Sequence, residues 1–499
     1  MRTFSAILIF ITLSVTLNAQ EMLGVISSNY AGIYGIKVNP ALTPTSKLYM
    51  DFNLLSAQTF MDNNYAFVSS EDMFNLVFKR EAPRYYTFEN EARNFTINRD
   101  NESKFGFYNV NLAGPGGMLV YGKHGFGLNT SFRMISTFNN MPNDIANFLY
   151  EAIDFDYQHG INYVHDEDIK IGSISWFEMS LNYAYTLRRY KWDYLTAGIN
   201  VKPLFGTTGF YTFIDQVDYI VHNDSTATVN SATFDYGISL PINYSDNAYK
   251  PTPLIKGYGI AFDIGLNYMF TRKGHKTYYF SRICEQEYEA YNYKIGISLL
   301  DVGFIKFSKR AIQQEYEDVS TYWFRPTDTL PNNSVNDFLD KVEYYFNNNT
   351  GNFTQNSDFT VNLPTTASLQ VDVWIKSNYF INLTVFYPLA LSSRSIFYRP
   401  SIIAVTPRYE TARMEFSLPI SFYNLDFGMP RIGFAVRYGN FFMGMDRVNT
   451  VLGISDFTGV DFYAGLRLNL SNNFKLNFVK GFCGMRKMYN IETFDYRNF

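Results

Sequence analysis

From residue 258 to 270 large side chains alternate with small or polar ones without a break. Tyr258, Ile260, Phe262, Ile264, Leu266, Tyr268 and Phe270 share one face, and Gly259, Ala261, Asp263, Gly265 and Asn267 share the other. A period of two belongs to a strand. This one is longer than the roughly 5–6 residues usual in soluble sheets and reaches the roughly 9–11 that cross a bilayer at a tilt. Residues 177–187 and 460–470 repeat the pattern. A soluble sandwich can hide one such face, whereas many of them need an apolar solvent.

Segments of this kind recur near 47–57, 105–122, 126–137, 172–188, 193–205, 257–271, 291–308, 364–376, 378–390, 398–407, 411–422, 431–438, 440–447, 459–470 and 473–482. A single-chain bacterial barrel has an even number of strands. Fourteen result if 473–482 lies outside the closed ring, and sixteen if "TFDYGISLPI" at 233–242 adds one; fourteen is favoured. Gly-Pro-Gly-Gly at 114–117 reads as a kink or bulge, and the slip of phase at Leu299-Leu300 as a bulge. Tight turns (Lys123-His124-Gly125, Arg189-Tyr190-Lys191, Ser377-Asn378, Gly439-Asn440, Ser471-Asn472) take turns with long polar stretches at 138–171, 206–256, 309–363 and 448–458. That asymmetry is the one expected of short periplasmic turns and long external loops; it breaks at 272–290. The fold class is therefore all-β: a transmembrane antiparallel β-barrel of about 14 strands (14–16). No blade-length repeat supports a propeller.

Composition agrees. The chain holds 47 Phe and 40 Tyr but only 4 Trp, accompanied by Asn, Ser, Thr and Gly. Beyond the first 19 residues no run of about 18 apolar residues occurs, which excludes helical spans. Residues 1–19 have the order of a secretory signal: Arg2, an apolar run over 4–17, then Asn18-Ala19 before Gln20. No Cys follows that run, so a lipid anchor is not expected. Cys284 and Cys483 are too few for a disulfide scaffold, and a net charge of −4 without a basic patch argues against nucleic acid. The chain is expected in the outer membrane of a Gram-negative bacterium, in contact with outer-membrane lipid.

If the large apolar side of each strand faces lipid, the other lines the lumen. Arg133, Glu178, Asp263, Asp372, Arg413, Glu415, Arg431, Arg437, Asp461 and Arg467 all fall on that second phase. Setting an Arg on the lipid side costs about 2–4 kcal/mol at the midplane. A ring of one sign would suit an ion-selective pore; the mixed signs suit an ion-paired interior, or one packed against a plug.

Residues 20–45 precede the first strand and do not alternate. They carry Gly24, Gly32, Gly35, Pro40 and Pro44 beside Leu23, Val25, Ile26, Ile33, Ile36 and Val38, enough apolar surface to pack as a plug. Asn39-Pro40-Ala41 stands directly before the first strand. With "GYGIAFDIGLNY" (257–268) and "GISLLDVGFIKF" (296–307), this arrangement resembles the FadL/TodX family of outer-membrane transporters, and the related PorV-type barrels of Bacteroidota. The resemblance implies a fourteen-stranded barrel, an N-terminal hatch over 20–45 with its motif at Asn39, Pro40 and Ala41, and a barrel over 46–483. It implies a hydrophobic ligand whose release is linked to hatch movement. The extra strand and tail, the latter over 484–499 and ending on aromatic Phe499, depart from the family pattern.

Hydrolysis needs an activated Ser beside a His. The histidines, His124, His159, His165, His222 and His275, fall in turns or loops without a matching Ser and acid, so no enzyme, cofactor or catalytic residue is expected. His165-Asp166-Glu167-Asp168, with His159 upstream, reads as a solvated acidic loop and not a metal site. The expected function is passive uptake of hydrophobic or amphiphilic small molecules past the hatch, with aromatic loop residues such as Tyr278, Tyr279 and Phe280 near the entrance. The alternative is a non-transporting barrel serving as a platform for secretion-system or surface-attachment proteins, with its long loops as docking surfaces.

Overall fold

The computed structural model describes residues 22–48, 50–88, 90–151, 155–272, 290–324, 334–347, 352–392 and 394–469. Among these, fourteen antiparallel strands close into a ring. They are β1 Met50–Asn63, β2 Lys104–Ala113 continued by Gly116–Tyr121, β3 His124–Met141, β4 Ile169–Tyr190, β5 Asp193–Asn223, β6 Gly257–Thr271 and β7 Tyr291–Phe307. The second half is β8 Thr366–Lys376, β9 Tyr379–Pro388, β10 Ile402–Glu410, β11 Met414–Ser417 with Ile420–Tyr423, β12 Arg431–Ile432 with Phe434–Tyr438, β13 Phe441–Met445 and β14 Asp461–Asn469. Each pairs with the next, and β14 pairs with β1 from Asp51↔Asn469 to Phe60↔Asp461. Closure leaves no edge strand, the condition under which a sheet can sit in hydrocarbon. No described helix is long and apolar enough to cross a membrane.

The two faces of the pattern separate cleanly. On β6, Tyr258 (59 % exposed) and Ile264 (52 %) point outward, while Asp263 and Asn267 are fully buried inside. The register shift between β6 and β7 falls beside Leu299-Leu300, where the phase slips, and puts Asp301 at φ 56°. In β2 the stretch Gly114-Pro115 breaks the strand. Pro115 has no N–H to donate, and side chains satisfy the freed carbonyls: Asn53 Nδ2 donates to Gly114 O at 2.8 Å and Thr130 Oγ1 to Pro115 O at 2.8 Å.

The long stretches at 206–256 and 309–363 are not simple loops. β5 runs on to Asn223, and its upper half pairs with Thr226–Ser239, which pairs with Ile312–Phe324, which pairs with Asn352–Asn356. These strands rise above the ring as one sheet, and the helix Val335–Asn347 lies on it through Leu339, Val342 and Phe346 against Phe234 and Tyr316. Residues 233–242 thus contribute a strand to this extension and not to the ring. The expectation of loops failed because a strand that leaves the bilayer keeps its hydrogen bonds while exchanging its outward apolar residues for Thr, Asn and Asp. The signal segment 1–19, Cys284, Cys483, Tyr278, Tyr279, Phe280, the candidate strand 473–482 and the tail 484–499 lie outside the described residues.

Candidate functional site: the lumen and its N-terminal segment

Residues 22–46 contain too much Gly and Pro for a long helix. They fold instead as short turns: Leu23–Ile26, Gly32–Lys37 and Pro40–Thr45. Asn39 caps the last of these by accepting the Ala41 N–H at 2.9 Å, with Pro40 in the first helical position, where no N–H is needed. The Asn39 amide also donates to Leu266 O at 3.0 Å, Ile297 O at 3.3 Å and Gln370 Oε1 at 3.1 Å, on β6, β7 and β8. Pro40 O accepts from Asn182 Nδ2 at 3.1 Å, and Ala41 O from Thr196 Oγ1 at 2.7 Å. The triplet lies against glycines. A Cβ on Gly198 would stand 2.4 Å from Pro40 O, and one on Gly296 would stand 2.8 Å from Asn39 Nδ2.

The earlier half of the segment is held from the other side of the ring. Leu23 N donates to Asp446 Oδ2 (3.0 Å), Gly24 N to the Tyr463 hydroxyl (3.1 Å), Ser28 Oγ to Glu415 Oε2 (2.7 Å) and Asn29 N to Glu410 Oε2 (3.1 Å). Arg467 Nη1 donates to Tyr30 O at 2.6 Å. Gly32 has φ 59°, a left-handed turn open to Gly, and lets Ile33 N reach Asp51 Oδ2 at 3.2 Å.

Buried charges form two main clusters. Five successive strands supply one: Arg133 on β3, Glu178 on β4, Lys202 on β5, Asp263 on β6 and Asp301 on β7. Arg133 meets Asp301 in a fork (2.9 and 3.0 Å) and Glu178 at 3.2 Å, while Lys202 bridges Asp263 (2.6 Å) and Asp301 (2.8 Å). In the other, Arg408 forks onto Asp372 (2.8 and 2.7 Å) and reaches Glu410 at 3.2 Å; Lys47 meets Glu410 at 2.5 Å, and Arg437 meets Glu415 at 3.0 Å. Arg467 lies 3.7 Å from Asp51. Arg431 and Asp461 are buried at the heads of β12 and β14, near Arg447, which pairs with Asp62 at 2.9 Å between the rings of Phe60 and Tyr423.

Arg413 differs from the expectation. It is exposed in the turn between β10 and β11, because Glu410 and Glu415 pair directly and leave 411–413 to close the hairpin. Lys202, Asp301, Arg408, Glu410, Asp51 and Arg447 were not read from the sequence. The first four stand on strands whose alternation was visible, so following the inward phase to the strand ends would have found Arg408 and Glu410. The bulge hid Asp301.

Lys37, at the end of the second turn, extends toward Asn111 Oδ1 at 3.5 Å. Burial pushes its ammonium down to about 8, against a smaller upward pull from Glu178. Beside it is a cavity of about 60 Å³ lined by Asn109, Asn129, Asn200, Arg399 and the first charge cluster, and a second of about 30 Å³ borders Ser28, Asn29 and Gln370. A water needs some 10–15 Å³ by this measure, so each holds a few waters at most. Toward the long-loop rim the lining turns apolar, with Ile174, Trp176, Leu204, Phe307 and Phe386 buried. Ile396 and Phe397, from the connection between β9 and β10, fold inward against Gly172.

Two of the described histidines, His159 and His165, meet acids outside 166–168. His165 Nε2 lies 2.9 Å from Asp144 Oδ2, and Asp168 pairs with Lys170 at 3.4 Å. His159 stands between Asp156 (3.5 Å) and Asp224 (3.7 Å).

A family model described as "Family of unknown function (DUF5723)" matches residues 40–446. No curated protein matches. Among solved structures the chain is similar to the toluene transporter TodX of P. putida (10 % identity, 91 % of this chain and 97 % of that one, TM-score 0.38). It is also similar to the toluene transporter TbuX of Ralstonia pickettii (9 %, 92 % and 99 %, TM-score 0.40) and to a Pseudomonas aeruginosa FadL homologue (10 %, 91 % and 99 %, TM-score 0.28).

Proposed function

We propose that this chain, which belongs to the DUF5723 family of unknown function, is an outer-membrane barrel for passive uptake of hydrophobic or amphiphilic small molecules, with residues 20–45 as its hatch. One observation carries the reading. The segment is tied to both sides of the lumen, and the two cavities beside it hold a few waters each, which supports a passage that opens when the segment moves. Its ties are non-covalent hydrogen bonds, each worth little singly. An apolar tier at the outer end above a charged tier suits a molecule with an apolar body and a polar end.

The test is deletion of residues 20–45 followed by liposome-swelling measurements with apolar and amphiphilic solutes. Faster entry supports the hatch; unchanged entry, with no ligand copurifying with the intact protein, rules out uptake. A second reading, a platform for secretion or surface-attachment proteins, is favoured by the sheet that rises above the ring. Crosslinking in native membranes separates the two: a stable protein partner at the extension supports the platform, and a lipid-bound monomer supports uptake.

A further inference from the structure

The ring is uneven in height. β13 has five residues, Phe441–Met445. At about 3.4 Å per residue and a tilt near 40° it rises about 13 Å, roughly half the ~25 Å apolar band of an outer membrane. Above it the wall between β12 and β14 is completed by the helix Val448–Val451. Asn449 takes the place of a strand neighbour, accepting the Ile432 N–H at 3.1 Å and donating to Pro430 O at 3.2 Å, while Thr450 Oγ1 reaches Gly459 O at 3.4 Å.

A second helical piece packs on this insert. Ser70–Phe74 continues into the turn Asn75–Lys79, with Ser69 capping it through the Asp72 N–H at 3.2 Å. It is fastened by Ser70 N to Asp456 Oδ1 at 2.8 Å and by Gly453, whose φ of 69° and missing Cβ admit the Phe74 backbone. Its free face is apolar: Phe74, Leu76, Val77 and Phe78 are all exposed, Phe78 at 57 %. Leu452 and Ile454, exposed on either side of Gly453, carry the apolar surface onto the insert, which is bonded to β12 through Asn449. Directly after it come exposed Lys79, Arg80 and Arg84, with Glu81 the one acid among them.

We propose that the segment 70–79 lies in the outer leaflet, with Phe74, Leu76, Val77 and Phe78 among acyl chains and Lys79, Arg80 and Arg84 against headgroup phosphates. The inference rests on the membrane-barrel reading above. Three facts favour lipid over a protein partner. The strand wall is too short at this point, the patch sits on the insert that completes that wall beside β12, and a helical backbone satisfies its own hydrogen bonds in hydrocarbon. The basic run matches the charge of the phosphates.

The test places an environment-sensitive dye at Phe78→Cys or, as a control on the outward face of β6, at Ile264→Cys, each in a Cys284→Ser, Cys483→Ser background. Folded, heat-modifiable protein is inserted in phosphatidylcholine vesicles with and without phosphatidylglycerol and doxyl-labelled chains. Quenching of both dyes by about twofold or more, with protection from iodide, supports the proposal. Quenching at Ile264→Cys alone, with iodide reaching Phe78→Cys, overturns it and leaves the barrel reading intact. Failure at both positions overturns the barrel reading itself. Crosslinking of a Phe78→Cys photoprobe to a protein in native membranes also overturns it. Deeper quenching at Phe78→Cys in anionic vesicles should vanish when Lys79, Arg80 and Arg84 are all changed to Gln; a difference that persists refutes the phosphate contact.

Discussion

Asn39 sits in a place that one added carbon would close: a Cβ on Gly265 would stand 2.2 Å from the Asn39 Oδ1. Gly265→Ala therefore forces out the residue that caps the third turn and ties three strands. Loss of the cap costs about 1 kcal/mol and each lost buried hydrogen bond about as much again. Higher conductance in planar bilayers and faster protease clipping near residue 39 are expected, with Asn39→Ala moving both the same way. Wild-type conductance in both variants would mean that the segment does not close the pore.

Arg408 holds Asp372 and Glu410 in a place with no exposure to solvent. Arg408→Met leaves two carboxylates facing Lys47, Lys294 and nearby hydrogen-bond donors. Removing one side of a buried pair costs about 3–5 kcal/mol. The folded band on an unboiled gel should disappear at a lower temperature, and the double change Arg408→Met, Asp372→Asn, which leaves Glu410 to Lys47, should recover part of the loss.

The neutral amine of Lys37 suits the seated segment, since burial lowers its ammonium to about 8. Free in water, a lysine titrates at about 10.4. Below about 8 both states hold the proton, so its cost to seating is at its fullest there; between about 8 and 10 the released state holds more protons and seating strengthens. Conductance should fall as pH rises through that window, and Lys37→Met should flatten the profile. A profile unaffected by Lys37→Met would refute the role given to its ammonium.

Phe346 is buried against Phe234 and Tyr316 in the sheet above the ring. Phe346→Ala should cost about 3–5 kcal/mol, confined to the extension. Limited proteolysis should cut within 334–347 while the ring stays folded. If a partner docks on the extension, its crosslink should weaken while solute entry is unchanged.

The ring was legible because lipid enforces it. Residues such as Ile260, Phe262 and Ile264 repeat on one phase because that face meets hydrocarbon, and the even-number rule set aside fifteen strands and left fourteen or sixteen. Beyond the bilayer that pressure ends, so the run of β5 past Gly206 toward Asn223 read as a loop. The inward phase was legible at Arg133, Glu178 and Asp263. Which cation meets which acid depends on strand stagger, and so Arg133 meeting Asp301, 168 positions away, has no trace in the sequence. Arg413 misled because a hairpin of one more residue would have placed it on the strand.

Leu23 and Asp446 are 423 positions apart, and Tyr30 and Arg467 437. Contacts so distant close late, after most of the chain has found its neighbours. Residues made first are therefore the last to be secured, and the strands must assemble around a segment still waiting for β14. A chain halted before β14 would lack both the seam with β1 and the anchor for its own beginning, so the completeness of the ring and the filling of its lumen are won or lost together.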